Sequence, residues 1–512
     1  MKPGQTRTST TANAGIVLGF VFAAAALGLG AAIFPTGFMA RLAIIVFGSV
    51  SILLAWAFRS PKNAFPESLI FTGLLLLTAL SILWPRYIYL HYPGLPSISA
   101  FTFSTMAALY TVVVLLIYSP GFSQRVSHQV ASSRWLVMLA SLWLSWRLLA
   151  SLLGDQPAYS VVIYVRELIY LTSYLLFGYC LCSIDGGQKW LMRIIVLCAL
   201  VTGALGVAEA LTQHNMFVGF ASAGDNAELE GNLANIALEK FRGGQYRAQA
   251  TFNHPIVFAQ YIAAAVPIVV YSILRETSKV WRLLAILTLP IAFAAIVQSA
   301  SRAGIVSVAA AIASIGIVLW LRAITHGKVS RAFAILMVPA MIGAIGIGYY
   351  LLEELALGRT AQEAGSTNIR LDMLRLGIAA LQDSPLWGFG QGMAVTKAGF
   401  SNSAGVSTID NYFLSLAIDS GYVGLGLLII LIIAFFIKGI RFSVAESGPE
   451  GLFVGACVAS VAAIAVTFTI LSIPNNMTMF WLLITATIPH LSNRSEKSQK
   501  QWNAKVKLST SS

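Results

Sequence analysis

The chain has 512 residues, of which 57% are hydrophobic and only 10% charged, and its mean hydropathy is +0.78. A soluble domain carries roughly 25% charged residues, so this composition excludes a water-soluble fold and makes lipid the solvent. The net charge of +13 is read as the basic bias of cytoplasmic loops and not as a nucleic-acid surface.

In lipid every backbone N–H and C=O needs a partner within the protein, which leaves helices or a closed barrel. Barrel strands alternate apolar and polar residues over about ten positions. The apolar runs here are continuous and close to the roughly twenty residues that cross the hydrocarbon. The fold class is therefore all-α, a polytopic transmembrane helical bundle of about 14 spans. They are expected at 15–34, 40–58, 67–84, 100–119, 135–153, 159–182, 190–211, 254–274, 282–300, 303–322, 332–351, 411–437, 450–472 and 477–491. The first run is longer than the apolar part of a signal peptide and has no clear cleavage site after it, so it reads as a span. With the N-terminus cytoplasmic, most of the 33 Lys and Arg fall on the cytoplasmic side, and both termini lie there. Cys180, Cys182, Cys198 and Cys457 have no metal-site spacing and read as small packing residues.

Two stretches interrupt the spans on the non-cytoplasmic side. One covers about 212–253. The other, 352–410, is long enough for short helices of its own, and Ile369 to Leu381 has helical apolar spacing. The chain divides into 1–246 (first spans and first outer loop), 247–437 (a catalytic region with the loop 352–410), 438–493 (last spans) and 494–512 (a basic cytoplasmic tail). It shows no Walker A loop, GxGxxG fingerprint or HExxH helix.

Polar groups at the outer face carry the candidate chemistry. Arg302 sits in the tight hinge Ser299-Ala-Ser-Arg-Ala-Gly304 between two apolar runs. There a guanidinium either snorkels to the interface or holds a diphosphate by paired N–H donors. Arg247 in Arg-Ala-Gln-Ala-Thr-Phe-Asn-His254-Pro255 is open to the same two readings. His254 is a helix cap, an interface group or a base. Asp410, next to Asn411 at the start of a span, is an N-cap or a general base. Arg370 and Arg375 lie about a turn apart, on a solvated face or at a ligand. The turn Trp387-Gly-Phe-Gly-Gln-Gly392 permits close approach to a ligand, although glycine turns are common. Within the spans, Arg147, Arg166 and Glu167 form a second polar set. An ion pair is the expected resolution of their desolvation, and Arg166 is alternatively placed to face a lipid headgroup.

Taken in order, Arg-x-x-x-Thr-Phe-x-His-Pro, Ser-Arg-Ala-Gly, Pro-Leu-x-Gly-x-Gly, Asp410-Asn411 and Gly421-x-x-Gly424 resemble the O-antigen ligase/polymerase superfamily over Arg247 to about Gly426. The resemblance implies a GT-C-like glycosyltransferase acting on undecaprenyl-diphosphate-linked glycan at the periplasmic face of the inner membrane; with no Asp-x-Asp pair in the periplasmic segments, neither a metal nor another cofactor is expected. By resemblance, Arg247 and Arg302 hold the diphosphate and Asp410 takes the place of the proposed base. Asn411, His254, Arg370 and Arg166 bind substrate. Ligases usually carry His-Asn where this chain has Asp410-Asn411, a departure that leans toward polymerase. The other readings are a ligase that transfers the glycan to lipid A–core and, in a different class, a flippase or transporter. Expected partners are the lipid-linked glycan, a glycan or lipid A–core acceptor, membrane lipid and a chain-length regulator.

Overall fold

The computed structural model describes residues 67–85, 87–90, 98–184, 186–220, 240–242, 244–327, 361–398, 409–470 and 477–491. The spans expected at 15–34, 40–58 and 332–351 and the tail 494–512 lie outside them. The described residues are almost entirely helical, as the uninterrupted apolar runs require. In chain order the helices are α1 (Glu67–Leu83), α2 (Ala100–Tyr118), α3 (Pro120–Ser132), α4 (Arg134–Leu153), α5 (Pro157–Ser183), α6 (Gly187–Thr212) and α7 (Pro255–Arg275). They continue with α8 (Lys279–Gln298), α9 (Arg302–Thr325), α10 (Ala361–Leu381), α11 (Ala394–Ala398), α12 (Tyr412–Ala445), α13 (Pro449–Phe468) and α14 (Met477–Leu491). The described strands are two-residue pairs, Tyr89–Leu90 with Ile98–Ser99 and Phe241–Arg242 with Gln245–Tyr246.

Among the described residues seven helices are long and apolar enough to cross a membrane: α4, α6, α7, α8, α9, α12 and α13. The count is eight if the bent pair Thr105–Tyr118 and Pro120–His128 forms one span. The expected spans 67–84 and 477–491 correspond to shorter apolar helices, Phe71–Leu83 and Met477–Leu491, and 159–182 lies within α5.

Burial sorts the bundle into a centre and a rim. In the apolar stretches of α7 and α13, 83% of residues are buried in protein, against 28% for α4 and α8. Thus α7 and α13 form the core, while α4 and α8 lie at the rim. Helix contact without a hydrophobic drive needs small residues at the crossing. Gly304 of α9 supplies one: a Cβ there would come 2.5 Å from the Ala259 Cβ of α7.

Polar clamps tie down the opposite end of the bundle. Arg322 of α9 donates to the carbonyls of Glu446 (2.6 Å), Ser447 (3.0 Å), Gly448 (3.1 Å) and Ser443. These are acceptors of the last turn and C-cap of α12 and of its link to α13. Arg193 of α6 makes a two-pronged bond to Glu276, with Nε and Nη2 each 2.9 Å from a carboxylate oxygen, and stacks between Trp190 and Trp281. Hydrogen bonds from Arg193, foremost, push the Glu276 carboxyl down to about 2.

Candidate functional site

The ends of α4, α6, α8 and α13 and the starts of α5, α7, α9 and α12 share one end of the bundle. The candidate residues gather there. The segment 240–254 is shaped by a residue that the sequence reading passed over. Glu209, near the end of α6, is buried and accepts hydrogen bonds from the Tyr246 hydroxyl (3.0 Å) and from the backbone N–H of Gln249 (3.2 Å) and Ala250 (2.6 Å). Ala250 takes a positive φ of 49° to present its N–H. Asn215 donates to the Ala250 carbonyl at 3.1 Å and accepts from the Tyr87 hydroxyl at 3.0 Å. So held, the segment lies on the α8–α9 hinge: the Ala248 N–H donates to the Gln298 carbonyl (3.0 Å) and Arg247 Nε to the Ser299 carbonyl (3.3 Å).

Arg247 therefore sits beside the turn that carries Arg302. That turn uses Ala300 at φ 45° and ends on Ser301, whose hydroxyl caps α9 by accepting from the Gly304 N–H at 3.2 Å. Arg302 is the first residue of α9, at the positive end of the helix dipole. Lys240 joins this group. Its ammonium donates to Gln249 Oε1 (2.9 Å) and to the Asn253 carbonyl (3.2 Å). Burial, then the nearby Arg247, lowers it to about 8.

His254 caps α7, its Nδ1 accepting the Ile256 N–H at 3.1 Å. Pro255 follows at the first helical position, where its missing N–H costs nothing. Burial, then Lys240 and Arg247, push this imidazole down to about 3. It is neutral, and with Nδ1 accepting, its proton resides on Nε2.

Asp410 is not the N-cap of α12; its neighbour Asn411 is, accepting the Leu414 N–H at 3.0 Å. Asp410 instead lies 3.9 Å from Arg370 Nε, and both side chains are half-buried. Arg370 reaches it from α10, which extends further toward the N-terminus than the expected start at Ile369. Arg375 pairs with Asp372 on the exposed side of α10. Arg370 is thus the member of the Arg370/Arg375 pair that faces the site.

The two halves meet through α13. Ser307 of α9 lies 3.3 Å from Thr467, and the adjacent Phe468 packs its ring 5.0 Å from that of Tyr412. The starts of α9 and α12, hence Arg302 and Asp410, flank the end of α13.

The Gly-rich turn approaches protein closely, not open space. Gly421, at φ 70° and ψ 177°, breaks α12. The break frees buried carbonyls in the first third of α12, and the turn supplies their donors: Phe389 N–H to the Ile418 carbonyl (2.9 Å) and Gly390 N–H to that of Asp419 (3.0 Å). In return the Tyr422 N–H donates to the Pro385 carbonyl at 2.8 Å. The Asp419 carboxyl, buried in α12, accepts the N–H groups of Gly392 (3.1 Å) and Ala394 (2.8 Å) and so caps α11. Trp387 of the turn stacks on Trp146 at 4.5 Å.

Beneath the turn, Arg147 pairs with Glu167 (2.5 Å), hydrogen-bonds Gln391 and lies 4.8 Å from the Trp143 ring. The expected intramembrane ion pair is therefore Arg147 with Glu167. Arg166 stands on the exposed side of α5, apart from that pair.

A search of curated proteins finds no match. The family model described as O-antigen ligase matches residues 284–429, which hold the hinge, Arg302, α10, the Gly-rich turn, Asp410 and the break in α12. The match to residues 284–429 supports the O-antigen ligase/polymerase superfamily for this multi-pass membrane protein, a family whose members are glycosyltransferase-like enzymes that work on lipid-linked glycan and an acceptor.

Proposed function

We propose that the protein polymerises undecaprenyl-diphosphate-linked oligosaccharide repeat units into O-antigen or exopolysaccharide at the periplasmic face of the inner membrane. The observation that carries this reading is a carboxylate, Asp410, held by Arg370 at the same end of the bundle as Arg247, Lys240 and Arg302. A glycosyl diphosphate on a lipid brings its own energy, so the reaction needs neither ATP nor nucleotide sugar. The hydroxyl of one repeat unit attacks the anomeric carbon of the donor and gives its proton to Asp410. The bond from that carbon to the lipid diphosphate breaks, and the departing charge falls to Arg247, Arg302 and Lys240. Fixed cations aimed at a leaving group are worth most where water is excluded. They take the part a metal plays in other transferases. His254 is a poor base, because its accepting nitrogen is engaged in the cap and its imidazole is held neutral well below pH 7. Its Nε2–H suits a donor to the diphosphate. Asn411, as the cap, fixes the start of α12 and the direction of Asp410.

Asp410 in place of the usual ligase histidine favours polymerase, whereas the matched family description favours ligase. One experiment separates them. The purified protein in nanodiscs is given the lipid-diphosphate-linked repeat unit, with EDTA and no ATP, with and without lipid A–core. A ladder from the lipid-linked substrate alone establishes polymerisation. Product only with lipid A–core establishes ligation, and no product in either arm refutes transfer. Arg302→Ala should lower the rate about 10²–10³-fold and Asp410→Asn about 10²–10⁴-fold, with membrane insertion unchanged.

A further inference from the structure

Residues 247–254 form neither helix nor strand, so the place of Arg247 must be imposed by what the segment touches. Glu209 supplies tethers on both sides of it. Its carboxyl accepts from the Tyr246 hydroxyl just before Arg247 and from the Gln249 and Ala250 N–H groups just after it. Ala250, at φ 49°, holds a conformation that a residue with a side chain rarely adopts. Its carbonyl is fixed in turn by Asn215 Nδ2 (3.1 Å) and the Tyr87 hydroxyl (3.3 Å). Backbone kept in such a conformation by over-determined surroundings marks functional positions. Glu209 itself stands on a firm support. It follows by about one turn Gly206 of α6, which packs so closely on α7 that a Cβ would come 2.4 Å from the Phe258 ring.

We propose that Glu209 is the positioning residue for Arg247: it fixes the segment so that the guanidinium stays beside the hinge that carries Arg302, where a diphosphate would meet both arginines. The role rests on Arg247 and Arg302 holding the diphosphate as proposed above, and it is independent of which acceptor takes the glycan. A carboxylate suits the task because it only accepts hydrogen bonds, and the segment offers it three donors. Its charge is spent on them, which limits its repulsion of an anion nearby. The bonds that place Arg247 are short-range ones, from its Nε to the Ser299 carbonyl (3.3 Å) and from its N–H to the Lys240 carbonyl (2.8 Å). Loss of the Glu209 tethers frees the chain on both sides of the arginine, so those two bonds no longer fix where the guanidinium lies.

Binding of undecaprenyl diphosphate to the full chain in nanodiscs, read by native mass spectrometry, tests this without any glycan. Arg247→Ala should weaken binding about 10–100-fold, the worth of a charged hydrogen bond, and Glu209→Ala should weaken it by a similar factor. The double variant should fall well short of the product of the two losses, because a residue that acts through Arg247 has little left to lose without it. Glu209→Gln can aim its oxygen at the two N–H groups and its amide at the Tyr246 oxygen, so it should bind almost as the parent does. Tyr246→Phe drops one tether; it should lie between the parent and Glu209→Ala, and it replaces the alanine variant if that one does not insert. Glu276→Gln, at the opposite end of the bundle, controls for a general loss of stability and should leave binding unchanged. Unchanged binding in Glu209→Ala or its replacement, losses that multiply in the double variant, or equal weakening by alanine and glutamine would overturn the positioning role. If Arg247→Ala itself binds as the parent does, the diphosphate role of Arg247 fails, and the positioning role with it.

Discussion

Asp419→Ala isolates the contact that pins the Gly-rich turn. In the parent chain one carboxyl accepts two backbone N–H groups, from Gly392 at 3.1 Å and Ala394 at 2.8 Å. Alanine leaves both donors facing protein with no acceptor, and each such loss costs about 1–3 kcal/mol. The sum is about 4 kcal/mol, a shift of about a thousandfold in the local docking equilibrium. The main-chain bonds from Phe389 and Gly390 to α12 do not use the carboxyl, so 391–394 should loosen while 385–390 stays docked. Global stability is the wrong readout, because removing a buried carboxyl also removes its desolvation cost. Hydrogen–deuterium exchange in nanodiscs reads the loop directly. Exchange at 391–394 should rise by about three orders of magnitude in Asp419→Ala. Asp419→Asn keeps one acceptor and turns a donor toward the other N–H, so its effect should be smaller. The exposed Arg375→Gln should leave this region unchanged. If exchange at 391–394 in Asp419→Ala is no faster than in the parent chain, the carboxyl does not hold the turn.

Gly421→Ala should cost well over the roughly 1–3 kcal/mol of a forbidden backbone conformation, because its Cβ would run into the Leu386 carbonyl. Gly426→Ala, with open space around it, should not, and thermal unfolding in detergent compares the two. Titration of His254 should leave no mark on the pH profile of transfer between 5 and 8, since burial, then Lys240 and Arg247, hold its imidazole down at about 3. His254→Asn, which keeps a capping side chain, should give the same profile. The unfolded imidazole protonates near 6.5, so its burial costs stability progressively as pH falls from about 6.5 toward 3, and the variant should melt less steeply with acid. Glu276 works from a carboxyl depressed to about 2, chiefly by hydrogen bonds from Arg193. Its contribution is full above the unfolded value of about 4.3 and is lost as pH falls toward 2. Glu276→Gln should cost about 3–5 kcal/mol at pH 7 by leaving Arg193 buried and unpaired. The gap from the parent should narrow in acid, as melting at pH 7 and pH 3 would show.

What could be read from the sequence was what repeats locally. Apolar runs near twenty residues marked α4, α6 to α9, α12 and α13, and the polar break at 299–304 marked a hinge whose Arg302 opens a helix. What could not be read were partnerships across long separations. Glu209 is one acid near the end of an apolar run, and nothing near it in sequence announces that it organises 246–250. Lys240 lies in a polar loop with no periodicity, and its role follows from contacts to Gln249 and Asn253. Asp410 and Asn411 are adjacent, and either can cap a helix. Only the fold gives the cap to Asn411 and leaves Asp410 to Arg370. The glycines of 388–392 suggest close approach to a ligand, whereas in the fold the approaching partner is the broken helix itself.

That break explains why the site can stand on a spanning helix at all. A helix interrupted where protein buries it leaves carbonyls with no water to turn to, so the interruption at Gly421 is tolerable only with the 385–390 turn in place. The turn and the helix must therefore fold as one unit. The turn also ends α10, which runs back alongside α12, with Gly377 against Leu414. From Asp410 to Ile418 along α12 is about 12 Å, and from Leu381 back to Arg370 along α10 about 16 Å, at about 1.5 Å per residue. The matched lengths return Arg370 to the level of Asp410. The pair is half-exposed and 3.9 Å apart, too loose to hold the helices together by itself. Its geometry is set instead by the backbone bonds at the break, about 12 Å along α12 from the proposed base.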